Sequence, residues 1–142
     1  MVAAQLAPAT AAKYKVRAMR AADLDAVAML DARIGGRLRR RYFLRRLERA
    51  LREPDMHIQL AAEDDEGALA GFLLYRVEAG EFGAVGRSAA LETIGVVPER
   101  RRGGIGRALL DRARTILRRK GIASEATRAD WKAWKKHMAA ND

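Results

Sequence analysis

Residues 97–110, VPERRRGGIGRALL, run three arginines into the glycine pair Gly103-Gly104, add a third glycine at 106, and continue at once into an apolar-periodic segment. AALETIGVVP (89–98) before it predicts a strand closed by Pro98. Ile105, Ala108, Leu109, Ala113, Ile116 and Leu117 after it recur at helical spacing, predicting a helix over about 104–120. Glycine costs about 1 kcal/mol against alanine inside a helix. A helix start that served only the fold would more naturally use Ser, Asp or Thr. The first turn of a helix, however, carries N–H groups with no intrahelical partner and partial positive charge. Glycines there clear side chains from the approach of an anion, so the stretch predicts an α/β fold with an oxyanion site at the helix mouth. On these residues alone, a second reading stands beside it: glycines that let the helix pack closely on the strand, and arginines that form a solvated face.

Charge points the same way. The chain carries 28 basic and 18 acidic residues, a formal +10. The excess is clustered in 33–52, with nine arginines and one acid (Glu48), and in 100–120, with nine basic residues and one acid (Asp111). Such fields attract polyanions, whether a phosphorylated cofactor or nucleic acid. No cysteine occurs, which removes disulfides and protein-thiol chemistry, and two histidines make a metal centre unexpected. No run approaches the ~20 apolar residues of a membrane span. The start MVAAQLAPATAA reads as a flexible tail (1–12) rather than a secretory signal, so 13–142 is expected to form one domain in a cytoplasmic setting.

Along the chain, KYKVRAM (13–19) alternates as a half-buried strand, with Tyr14, Val16 and Ala18 on one face. Leu24, Val27, Leu30 and Ile34 predict a helix between Asp23 and Gly35-Gly36. A second helix is expected from about Arg37 to Arg52, with Phe43, Leu47, Ala50 and Leu51 inward and its arginines facing water or a ligand. MHIQLAA (56–62) and ALAGFLLYRVE (68–78) flank the acidic turn EDDEG as a hairpin, with His57 expected to face solvent. AGEFGAVGRS (79–88) reads as a loop, part of 122–128 as a last strand, and DWKAWKKHMAA (130–140) as a closing helix. Trp131, Trp134 and Met138 form a core or subunit-contact stripe on that helix, and His137 faces solvent; Ser124 and Thr127 have no His/Asp partner nearby in the sequence.

Arg101, Gly104 and Gly106 match the Arg/Gln-x-x-Gly-x-Gly/Ala pattern, and the strand and helix around them resemble the acyl-CoA-binding unit of the GNAT-type N-acetyltransferases. VRAMRAADLDAVAML and HIQLAAEDDEGALAGFLLYRV are similar to that family's opening strand and helix and to its hairpin, so the resemblance spans roughly 14–130. It implies a mixed, mostly antiparallel sheet flanked by helices, with acetyl-CoA as donor and no metal. It also implies that Ile94, Val96 and Val97 line the pantetheine arm, with a backbone N–H near Val96 polarising the thioester carbonyl. The diphosphate would lie on the amides from Arg102 through Gly103, Gly104, Ile105 and Gly106 to Arg107, with charge from the Arg101, Arg102 and Arg107 side chains. The acceptor is an amine, of a small molecule or a peptide, that attacks directly.

An ammonium must lose a proton before it can attack. Glu92, on the signature strand, is the resemblance's first choice of general base; Glu81, in the loop before it, is the second. A structural carboxylate is the alternative for each. The chain departs from the family at its end: none of Tyr14, Tyr42 and Tyr75 lies beyond residue 121 to protonate the thiolate, and the chain stops at Asp142, short of the usual last two strands. A shortened sheet edge makes a homodimer plausible. Two other functions compete: a non-catalytic acetyl-CoA-binding protein, and a basic nucleic-acid-binding module. The latter lacks zinc-ligand spacing, aromatic-studded strands and a basic heptad segment.

Overall fold

The computed structural model of the chain describes residues 14–80, 83–122 and 124–127. Glu81, Trp131, Trp134, His137 and Met138 lie outside the described residues, as do the expected tail and closing helix. Five strands form one sheet in chain order: β1 (Lys15–Ala18), β2 (His57–Glu63), β3 (Leu69–Gly80), β4 (Gly83–Val96) and β5 (Ser124–Thr127). The first four are mutually antiparallel, and β5 pairs with β4 in parallel. Helices α1 (Leu24–Gly35) and α2 (Arg40–Arg52) follow β1, and α3 (Ile105–Arg119) joins β4 to β5. Among the described residues, no helix is long and apolar enough to cross a membrane.

The alternation of β3 builds a core on each side of the sheet. Phe72 and Leu74 meet Leu24, Val27, Leu30, Phe43 and Leu47 of α1 and α2. Leu73, Tyr75 and Val77 meet Ile105, Leu109, Ala113 and Leu117 of α3, together with Leu91 and Val96 of β4. A strand buried on both faces reads as a continuous apolar run, which is why 68–78 is legible as the centre of the sheet.

Three sequence expectations are corrected. The expected loop at 79–88 is mostly strand, because Val77 and Glu78 pair with Ala89 and Ser88 and the ladder overrides the local glycine content. The second helix starts at Arg40 rather than Arg37, and Leu51, expected inward, is 72% exposed. His57, expected at the surface, is buried on β2.

Close helix–sheet approach is achieved on the strand side of the contact. A Cβ on Gly71 of β3 would stand 2.9 Å from Ile105 Cγ2, 3.0 Å from the Gly95 carbonyl oxygen and 3.2 Å from Leu109 Cδ1. Gly104 has no such packing role, since nothing lies within 4 Å of a Cβ there. Gly71→Val is expected to destabilise the chain by about 1–3 kcal/mol through overpacking. An unchanged urea midpoint would contradict that contact.

Candidate functional site

Pro98–Gly103 folds into two short 3-10 turns meeting at a kink at Arg100, and Gly104 then takes φ +77°, ψ 14° before α3 begins. That left-handed conformation selects glycine on backbone grounds, a second reason for the residue besides clearance. The first bond into α3 runs from the Ala108 N–H to the Gly104 oxygen at 3.0 Å, and no side chain caps the helix. The N–H groups of Ile105, Gly106 and Arg107 thus have no acceptor within the helix. The Ile105 side chain turns into the core, whereas Gly104 and Arg107 are exposed. The turn is tied down from outside: Arg100 reaches Asp64 Oδ2 at 3.4 Å and the Tyr14 hydroxyl at 3.4 Å, and Glu99 pairs with Arg33 of α1. Asp64 in turn accepts the amides of Glu66 and Ala68, both at 2.9 Å, which hold its carboxyl below the usual carboxylate range.

Among the described residues, β4 arrives at this turn with one edge only partly paired. It pairs with β5 only from Ser88 to Leu91 among the described residues, whereas on the β3 side pairing continues to Val96. The Val97 N–H donates to the Ala70 oxygen at 2.9 Å. In an antiparallel ladder the hydrogen-bonding direction alternates, so Val97, Gly95 and Thr93 are committed to β3. Ile94 and Val96 then direct their N–H and C=O groups to the opposite edge, beyond the end of the described β5 pairing. Of the three residues expected to line the arm, two present backbone there and Val97 does not.

Glu92 stands at an irregularity. Leu74 pairs with Thr93 and Tyr75 with Leu91, so Glu92 is the extra residue of a β-bulge. Bulges re-aim side chains, and this one sends Glu92 to the α1/α2 side of the sheet, where its carboxylate meets the guanidinium of Arg46 on α2. The Arg76 Nη1 lies 3.9 Å from the other carboxylate oxygen. The Glu92 side chain is 5% exposed and that of Arg46 10%. This corrects the expectation that every arginine of α2 faces water or ligand: Arg46 sits in the inward stripe of Phe43 and Leu47, where a charge needs a buried partner. That position within an apolar stripe is the signal by which sequence reasoning could have found it.

Next to this pair, Gln59 Nε2 donates to the Arg46 carbonyl at 3.1 Å, and His57 lies opposite Arg76 across the ladder. Burial first, and the Arg46 charge second, push the His57 imidazole below its ordinary value, with Arg49 and Arg76 acting the same way and Glu53 opposing. The sign follows: the unfolded chain takes up a proton as pH falls through about 6.5 while the folded chain resists it, so folded stability declines below that pH. His57→Phe is expected to flatten this decline in a series of thermal melts between pH 7.5 and 5.5. An identical slope in both proteins would contradict it.

A glycine-started helix, set beside a sheet strand that is paired on one edge only in part among the described residues, defines an α/β class that can hold an extended ligand with an anionic head. The chain belongs to the acetyltransferase (GNAT) family, whose family model matches residues 23–137. Members of this family transfer an acetyl group from acetyl-CoA to an amine. Among solved structures, the chain is similar to glucosamine-6-phosphate N-acetyltransferase from Arabidopsis thaliana, at 17% identity and a TM-score of 0.71, covering 89% of this chain and 90% of that one. It is also similar to an aminoglycoside 6'-N-acetyltransferase from Acinetobacter baumannii, at 20% identity and a TM-score of 0.69, covering 89% and 88%. A third likeness is to a Clostridium acetobutylicum protein, described as a predicted acetyltransferase and solved with acetyl-CoA, at 15% identity and a TM-score of 0.66, covering 82% and 80%. At these identities the likeness is one of fold. No curated protein sequence matches the chain.

Proposed function

We propose that this chain binds acetyl-CoA along β4 and the start of α3 and passes its acetyl group to an amine by direct attack. The observation that carries the reading is the turn at Gly104, where α3 begins on a left-handed glycine with nothing within 4 Å of a Cβ there and its first intrahelical bond is donated only at Ala108. The amides of Ile105, Gly106 and Arg107 hold the diphosphate, with charge from the Arg101, Arg102 and Arg107 side chains. Gly103 and the Arg102 amide flank that set. Ile94 and Val96 pair with the amide-bearing arm, and the Val96 N–H polarises the reacting carbonyl.

Glu92 takes up the proton of the acceptor ammonium, through a water. The guanidinium groups of Arg46 and Arg76 lie against this carboxylate and hold it in place. Glu81 remains the second candidate base. The leaving thiolate needs no protein acid, because a thiol with a pKa near 8.5 can recover its proton from water.

Thiol release from acetyl-CoA, measured across a panel of amines, tests this reading. Amine-dependent release is expected, falling by about a hundredfold or more in Glu92→Gln. Release independent of every amine would remove the transferase assignment. Full activity in the variant would return Glu92 to a structural role.

A further inference from the structure

The basic second helix has a use that the donor site does not absorb. On α2, Tyr42, Arg45, Arg49 and Arg52 follow one another at helical spacing, and with Arg46 and Glu48 they line a half-open groove of about 320 Å³. Four arginines face one glutamate there. The described lining comes from α2 alone, with Arg45, Glu48, Arg49 and Arg52 exposed and Tyr42 and Arg46 partly or wholly buried beneath them. Arg46 contributes to the lining although its side chain is 10% exposed, because its guanidinium also meets Glu92 on β4. The groove and the proposed base thus share one side chain, on the side of the sheet opposite α3.

We infer that this groove is an oxyanion subsite for the acceptor, and that the chain selects amines carrying a phosphate or carboxylate group. The inference rests on the transferase reading and adds the substrate class to it. Guanidinium groups suit this task, since their planar forks bind carboxylate and phosphate oxygens in pairs. Position suits it as well. An anion held by Arg45 and Arg49 lies on the same helix as Arg46, whose guanidinium meets Glu92. From Tyr42 to Arg52 the helix spans about 15 Å at 1.5 Å per residue, room for an acceptor whose amine and anion lie several bonds apart. An anion in the groove also competes with Glu92 for Arg46, which links occupancy of the subsite to the freedom of the base.

Calorimetric titration with inorganic phosphate, on the full chain and two variants, tests the subsite apart from catalysis. The natural chain is expected to show phosphate binding of two kinds, one abolished by saturating acetyl-CoA and one insensitive to it. Arg45→Gln/Arg49→Gln should lose the insensitive component and keep the other, while Gly104→Val should do the reverse. Turnover of O-phosphoethanolamine, β-alanine and ethanolamine then separates phosphate from carboxylate selection. At least a tenfold preference in kcat/KM for an anionic amine over ethanolamine is expected, collapsing toward unity in the double variant with the KM for acetyl-CoA unchanged. Absence of the insensitive component in the natural chain, or its survival in the double variant, overturns the inference whatever the turnover shows. Failure of the transferase reading looks different: the acetyl-CoA-sensitive component is missing, or no amine promotes thiol release.

Discussion

Gly104→Val will abolish the rise in melting temperature that acetyl-CoA produces in the natural chain. Two effects combine in this variant. A β-branched residue is strained at φ +77°, lowering stability by about 1–2 kcal/mol without any ligand. Its side chain also enters space at the start of α3 that is open to 4 Å around a Cβ, where the proposed diphosphate would lie. Hydrogen bonds to a charged ligand contribute about 1.5–3 kcal/mol each, so losing even one or two weakens binding by about a hundredfold. Gly121→Val supplies the control, because Gly121 has φ +75° and equally open surroundings at the far end of α3. It should show the same loss of intrinsic stability and a full response to acetyl-CoA. Equal responses in both variants would mean that Gly104 serves the backbone alone.

The second large effect concerns the charge pair beneath α2. Arg46→Met leaves the buried Glu92 carboxylate without its close guanidinium partner, with Arg76 at 3.9 Å, and Glu92→Gln leaves the Arg46 cation buried opposite a neutral group. Breaking a buried pair from one side costs about 3–5 kcal/mol, most of it from the charge left behind. Removing both charges relieves that penalty, so the double variant Arg46→Met/Glu92→Gln is expected to be more stable than either single variant. Denaturant unfolding of the four proteins gives the coupling directly. Strictly additive losses would contradict a direct pairing. The double variant has a further use: it keeps the fold while removing the proposed base, so its acetyl transfer should stay low although its stability recovers.

These two sites differ in how far the sequence reveals them. The glycine-started helix is visible because its signal is local: a strand, a kinked basic turn and an amphipathic helix follow one another within about 25 residues, and the structure keeps that order. The doubly buried β3 is legible for the same reason, as one continuous apolar run. Glu92 is visible as a residue on the right strand, yet its direction is not, because a bulge depends on the register between β3 and β4 and no residue type announces it. Arg46 is hidden by its neighbours, since one arginine among nine in a basic stretch looks like all the others until Phe43 and Leu47 fix which face is inward. His57 misled for a related reason. Strict alternation puts it on the polar face of β2, but that face lies under α2, so a position opposite the α3 core is still buried. The strand at 83–88 was masked by its glycines, whose low strand propensity yields to pairing with β3. Tertiary packing decides each of these, and local pattern carries no record of it.

The diphosphate site admits a direct spectroscopic test. Amide proton–nitrogen spectra of the chain titrated with acetyl-CoA should show the largest shift changes at Ile105, Gly106 and Arg107, with smaller ones at Ile94 and Val96 and little at Val97, whose N–H is already bonded to Ala70. If acetyl-CoA binds while the Ile105, Gly106 and Arg107 amides stay where they were, the helix mouth is not its anchor and the account fails.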